Sequence, residues 1–134
     1  MKAIRIVFQD EFIIVVDKPA GLLTVATPKK EKNTLCSLLN AYPVHRLDRE
    51  TSGLIVFAKT KEARKILSGQ FRERKVSKRY IAFVQGRLSP KEGTISRYVR
   101  DNPYQPPKFA QTRYRLLEHR NGFSILEVIP VTGR

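Results

Sequence analysis

Apolar positions recur along this chain with two periods, and the switches between them mark out its elements. Ile4, Ile6 and Phe8 alternate with Arg5 and Val7, the spacing of a strand with one mostly buried face. Gln9-Asp10-Glu11 then turns the chain into Phe12-Ile13-Ile14-Val15-Val16-Asp17, a β-branched run that predicts an inner strand. Lys18-Pro19-Ala20-Gly21 stops it, because Pro19 has no amide to donate and Gly21 tolerates positive φ. Thr27 to Lys32 is polar and basic, as an exposed loop would be. Asn33 or Thr34 is placed to cap a short helix whose Leu35, Leu38 and Leu39 share a face.

Leu54 to Ala58 is an apolar run of strand length and predicts a buried strand, entered through a turn at Thr51-Ser52-Gly53. Thr60 is positioned to cap a helix of roughly four turns. Along it Ala63, Ile66, Leu67 and Phe71 fall at helical spacing as a core stripe, while Lys61, Arg64, Lys65, Arg72 and Arg74 face outward. Four strand-like segments follow: Arg79 to Gly86, Gly93 to Arg100, Lys108 to Leu117, and Phe123 to Pro130. Asn121-Gly122 joins the last two with the strongest short hairpin signal. Asn102 to Pro107 holds three prolines and is irregular. The order β-β-α-β-α-β-β-β-β predicts an α+β fold with a mostly antiparallel mixed sheet and flanking helices. With 134 residues, and neither an internal repeat nor a linker, a single domain is expected.

Charge narrows the class of partner. Lys and Arg number 26 against 12 Asp and Glu, a formal net charge of +14. Such an excess points to a polyanion, and nucleic acid is the first candidate. Cys36 is the only cysteine, so an intrachain disulfide and a thiolate zinc site are both excluded, and a reducing cytoplasm is the natural compartment. His45 and His119 do not form a metal-ligand spacing. The longest early apolar run, Phe12 to Val16, is far too short to span a bilayer.

The densest chemistry lies in the segment from Pro43 to Thr60. It sets Asp48 between the cationic Arg46 and Arg49, just before the turn into the Leu54–Ala58 strand. An ordinary surface salt bridge is how most such aspartates behave. A carboxylate held rigidly at the rim of a buried strand, and kept ionised by guanidinium charge, also suits a nucleophile. No second carboxylate sits at an obvious pairing distance, which argues against a two-carboxylate acid/base pair. His45 reads as a residue that orients the loop.

This segment closely resembles the signature HRLDxxTSGLxxFAKT of the RluA-type RNA pseudouridine synthases. Val16 to Leu22 resembles the family's V-x-KPxGL turn, and Lys78 to Gly86 its K-x-Y-x-A-x-V-x-G strand. Lys108 to Tyr114 is similar to its K-x-A-x-T-x-Y segment, and Pro130-Val131-Thr132-Gly133-Arg134 begins its TGRTHQIR motif. The resemblance implies a pseudouridine-synthase-like catalytic core that isomerises specific uridines in structured RNA, tRNA or rRNA, with no cofactor and no metal. It implies Asp48 as the catalytic nucleophile, acting on a nucleotide flipped out of the stack. Arg46 matches the arginine that enters the vacated space. Tyr80 matches the tyrosine that packs on the bound uracil. Arg134, the arginine of the Gly-Arg pair, completes the expected substrate-binding set.

A non-catalytic basic RNA-binding module would explain the charge, but it has no use for Asp48 among arginines. A glycosidic hydrolase would need a second acid, and the basic surface argues against a neutral sugar. The chain stops within the last motif, so the expectation is the N-terminal portion of one catalytic domain, incomplete at its C-terminus and poorly active alone. Sheet-edge association is expected for the short chain and a monomer for the intact enzyme. No separate N-terminal RNA-binding domain is expected, which leans recognition toward short stem-loops.

Overall fold

The computed structural model describes residues 4–100 and 103–133. They divide into two compact units, Met1–Glu73 and Arg74–Arg134. The first unit runs β1 (Arg5–Gln9), β2 (Ile13–Lys18), α1 (Leu35–Leu39), β3 (Tyr42–Pro43), β4 (Gly53–Ala58) and α2 (Lys61–Arg72). Its sheet has the order β1-β2-β4-β3, with every pair antiparallel. β2 is thus an inner strand, as its β-branched run predicts. Ile14 opposes Phe57, Val16 opposes Ile55, and Lys18 opposes Gly53, so one buried face carries these side chains.

The expectation for β1 fails. Ile6 and Phe8 are 52% and 51% exposed, and the strand has no buried face. A bulge between them is the cause: Ile6 opposes Val16 while Phe8 opposes Val15, so the two side chains leave on opposite faces. β4 is not buried throughout either. Ile55, Phe57 and Ala58 are buried, but Leu54 points to solvent.

Both helices of this unit start where the sequence places a cap. Thr34 accepts from the Ser37 amide, and the Ser37 hydroxyl accepts from the Thr34 amide, a reciprocal box. Thr60 accepts from the Ala63 amide, with Glu62 in the first turn and Arg72 in the last, both favourable to the helix dipole. α2 has 12 residues, and its stripe is less buried than core. Ala63, Leu67 and Phe71 are half-buried and Ile66 is exposed, because the helix packs on β3 and β4, the edge half of the sheet.

The second unit is a four-stranded antiparallel sheet of order β5-β8-β7-β6, formed by β5 (Tyr80–Gln85), β6 (Glu92–Val99), β7 (Lys108–Arg120) and β8 (Phe123–Pro130). Asn121 and Gly122 both take positive φ, as a two-residue hairpin turn requires. β7 runs past its predicted end at Leu117, because a register slip between Leu116 and Glu118 lets pairing continue to Arg120. Gly93 leaves room for a ring: a Cβ there would sit 2.9 Å from the Tyr114 hydroxyl. One face buries Ala110, Ser124 and Leu126. On the other, Arg79 and Arg115 each approach the Glu127 carboxylate at 3.2 Å. The class is α+β, with two antiparallel sheets among the described residues.

Candidate active site

Lys18 ends β2 with a wholly buried side chain. A buried ammonium is costly unless its donors are paired. Nζ donates to the carbonyls of Leu22 at 2.7 Å, Pro19 at 3.1 Å and Arg49 at 3.1 Å, so all three hydrogens have acceptors. Burial lowers the Lys18 pKa from the ordinary lysine range, and the charges of Glu50 and Asp48 oppose that shift. The first two carbonyls belong to the turn that leaves β2; the third belongs to the loop carrying Asp48.

That loop is held by its backbone at both neighbours of Asp48. The Arg49 carbonyl also accepts from the Gly21 amide at 2.8 Å, and Arg49 Nε donates back to the Gly21 carbonyl at 3.3 Å. On the other side, the buried Thr24 hydroxyl donates to the Leu47 carbonyl at 2.7 Å and accepts from the Leu47 amide at 3.2 Å. Leu47 itself is buried as an apolar anchor. Asp48 stands between these fixed points with its side chain 85% exposed. Its carbonyl accepts from the Thr51 amide at 3.1 Å. The turn is therefore 48–51, beginning three residues before the predicted Thr51-Ser52-Gly53 turn. Gly53 is already paired with Lys18 as the first residue of β4.

Arg46 Nη2 lies 3.8 Å from Asp48 Oδ1, with both side chains largely in water. An exposed pair at that distance stabilises little, so the two groups stay available to a ligand. Arg49 pairs instead with Glu50, at 3.4 Å. His45 has a structural place: its Nε2 accepts from the Val56 amide at 3.2 Å, and its ring stacks on Phe71 with centroids 4.2 Å apart. It joins the start of the loop to β4 and α2.

Tyr80 opens β5 in the second unit, half-buried and opposite Val128. Arg134 lies outside the described residues. The structure thus brings Arg46 and Asp48 together. Sequence reasoning missed Lys18 and Thr24 as the residues that fix the loop. A signal for Lys18 existed: in register with Ile14 and Val16, it falls on the buried face of β2. Among the described residues there is no cluster of three or more His, Cys, Asp or Glu able to hold a metal ion, and no helix is long and apolar enough to cross a membrane.

Residues 12–134 match the family described as RNA pseudouridylate synthase. The dual-specificity RNA pseudouridine synthase RluA of Yersinia pestis is 39% identical to this chain over 145 aligned residues, covering 96% of the chain and 70% of that protein. The ribosomal large subunit pseudouridine synthase D of Nitrosomonas europaea is 36% identical, and the match covers 98% of this chain but 43% of that protein. Among solved structures, human RNA pseudouridylate synthase domain containing 1 superposes with a TM-score of 0.81 at 26% identity, over 99% of this chain and 61% of that one. The chain therefore spans only part of each relative's length. With the signature loop folded around Asp48 and the family match running from Phe12 to the last residue, this chain belongs to the RNA pseudouridine synthases of the RluA type.

Proposed function

We propose that this protein isomerises uridine to pseudouridine in structured RNA, with Asp48 as the nucleophile. The observation that carries this reading is the fixing of Asp48. Its neighbours are bonded through their backbones to Lys18, Gly21 and Thr24, while its carboxylate faces solvent beside one guanidinium. A nucleophile needs that combination of fixed position and open approach. Asp48 attacks the target nucleoside and the N-glycosidic bond breaks; the retained uracil turns, its C5 rejoins the ribose as the bond to Asp48 breaks, and the C5 hydrogen is lost as a proton while N1 gains one. The target nucleotide leaves the stack to reach the carboxylate. Arg46, exposed and planar, fills the space left behind. Tyr80 packs on the uracil, and Arg134 contributes to substrate binding.

The substrate is tRNA or rRNA. Two relatives, a dual-specificity RNA pseudouridine synthase and a synthase of the large ribosomal subunit, support rRNA and more than one target. The basic surface supplies the affinity by releasing counterions from phosphates. In this proposal the residues act within one cytoplasmic, monomeric catalytic domain that needs neither metal nor cofactor.

Asp48→Asn keeps the shape of the side chain and removes its nucleophilic oxygen pair. The expected outcome is loss of pseudouridine formation, read by primer extension through carbodiimide adducts, with RNA binding retained. Undiminished conversion by Asp48→Asn overturns the assignment.

A further inference from the structure

We infer that the hairpin end of the second unit is a phosphodiester-binding site for RNA. Arg87 and Arg120 hold one backbone phosphate there, His119 accepts from the ribose 2′-hydroxyl beside it, and Phe123 supports the adjoining base. This rests on the proposal that the substrate is RNA.

A cavity of about 250 Å³ opens between the β7–β8 turn and the chain leaving β5, lined by Gly86, Arg87 and residues 119–123. A second, of about 510 Å³, shares Arg87 and His119 and adds Lys91. Among their charged groups cations outnumber acids: the acid in their linings is Glu118, in the second cavity only. Among the described residues, neither Arg87 nor Arg120 is engaged in an ion pair. Both concavities are open at the surface, and the exposed Arg87 and Arg120 stand at the rim of the smaller one, where a phosphodiester can lie across them.

The walls are fixed by one buried hydroxyl. Ser124 Oγ donates to the Gly86 carbonyl at 2.7 Å and accepts from the Leu88 amide at 3.1 Å, so the backbone on both sides of Arg87 is anchored. The Gly86 amide donates to the Gly122 carbonyl at 2.8 Å, joining that segment to the hairpin turn. His119 Nδ1 lies 3.0 Å from the same hydroxyl. With the serine hydrogen on Gly86, the remaining bond requires His119 to donate from Nδ1. Nε2 is thereby left as an acceptor, which suits the 2′-hydroxyl of a ribose and not a phosphate oxygen. Two arginines, a fixed imidazole and the half-exposed ring of Phe123 reproduce the elements of a single-stranded nucleic-acid site: cations for the backbone and an aromatic face for a base.

The test uses the whole chain carrying Asp48→Asn, with a fluorescent RNA stem-loop titrated over a salt series. Arg87→Gln with Arg120→Gln is expected to weaken binding about tenfold and to reduce the slope of log affinity against log salt by about one to two. Lys29→Gln with Lys30→Gln, an equal loss of charge, is expected to do markedly less. Phe123→Leu is expected to cost about fivefold. His119 is one of only two histidines. Its imidazole NMR signals should move on adding RNA and stay in place with the same concentration of orthophosphate. Equal effects of the two double substitutions, unmoved His119 signals, or saturation by orthophosphate overturns the site while leaving the RNA reading intact. Failure of the parent to bind RNA overturns both.

Discussion

Lys18 in the first unit and Ser124 in the second occupy the same kind of place. Both are wholly buried, and each reaches across to a distant segment, 31 positions away for Lys18 and 38 for Ser124. They differ in chemistry. Lys18 offers only donors and carries charge, so it gathers three carbonyls from a turn and the Asp48 loop. Ser124 gives one hydrogen and accepts others, so it can sit between a carbonyl, an amide and an imidazole. A buried charge is costly when its partners are lost, whereas a buried hydroxyl can be replaced by a methyl at smaller cost. The contrast teaches that the unit with the nucleophile candidate is organised around the less forgiving of the two.

The sharpest way to break the comparison is to remove each centre in turn. Lys18→Met keeps most of the length of the side chain but takes the donor from the Leu22 and Pro19 carbonyls and leaves the Arg49 carbonyl with the Gly21 amide alone. It is expected to lower the unfolding free energy by roughly 3 kcal/mol or more, and to cut pseudouridine formation about 100-fold because the Asp48 loop loses its anchor. Denaturant unfolding and single-turnover conversion measure the two effects. A variant as stable and as active as the parent would show that Thr24 and Gly21 suffice.

Ser124→Ala should cost less, roughly 1–3 kcal/mol for the Gly86 and Leu88 groups left behind. Its effect should be local: amide exchange quickens at Leu88 and stays unchanged at Leu47. If both amides respond alike, the two centres are not independent.

A smaller effect comes from pH. Burial, opposed by Glu50 and Asp48, lowers the Lys18 pKa in the fold below the ordinary value of 10.5. Between the lowered value and 10.5 the unfolded chain holds a proton that the fold has released. The contribution of this group to stability therefore rises with pH through that window and levels off above it. The gap in unfolding free energy between the parent and Lys18→Met should widen as pH is raised from neutral toward that limit. A narrowing gap would mean that the three carbonyls outweigh desolvation.

Arg46→Ala is the smallest change to the fold. Its ion pair with Asp48 is long and exposed, so stability should stay within about 0.5 kcal/mol of the parent. Turnover should nevertheless fall more than RNA affinity. Equal losses in both would make Arg46 a plain phosphate contact.

Features set by neighbours in sequence were legible before the structure. Thr34 and Thr60 as caps, β2 as an inner strand and the Asn121-Gly122 turn all depend on interactions within a few residues or on a simple period. Asp48 stood out as a candidate because its surroundings form a contiguous motif. Irregularities of pairing were not. The bulge that turns Ile6 and Phe8 to opposite faces depends on the partner strand, as does the slip beyond Leu116. The turn at 48–51 was misplaced for a related reason: Thr51-Ser52-Gly53 has turn composition, but pairing with Lys18 commits Gly53 to β4. The role of Lys18 was hidden because its acceptors are carbonyls, which every residue has, and composition does not mark those of Leu22 and Arg49.

The Asp48 loop is fastened chiefly by main-chain atoms at Leu47 and Arg49; among the described residues the side chains of Arg46 and Glu50 bond to none of Lys18, Gly21 and Thr24, and reach only Asp48 and Arg49. Amino-acid identity at those two positions is therefore decoupled from the geometry of the loop. A lineage can substitute Glu50 without first finding compensating changes in the scaffold, whereas Arg46 is kept by the part proposed for it in turnover. Lys18 and Thr24 have no such latitude, since each is engaged through its own side chain. Divergence should therefore gather on the outer rim of the loop and spare the residues beneath it.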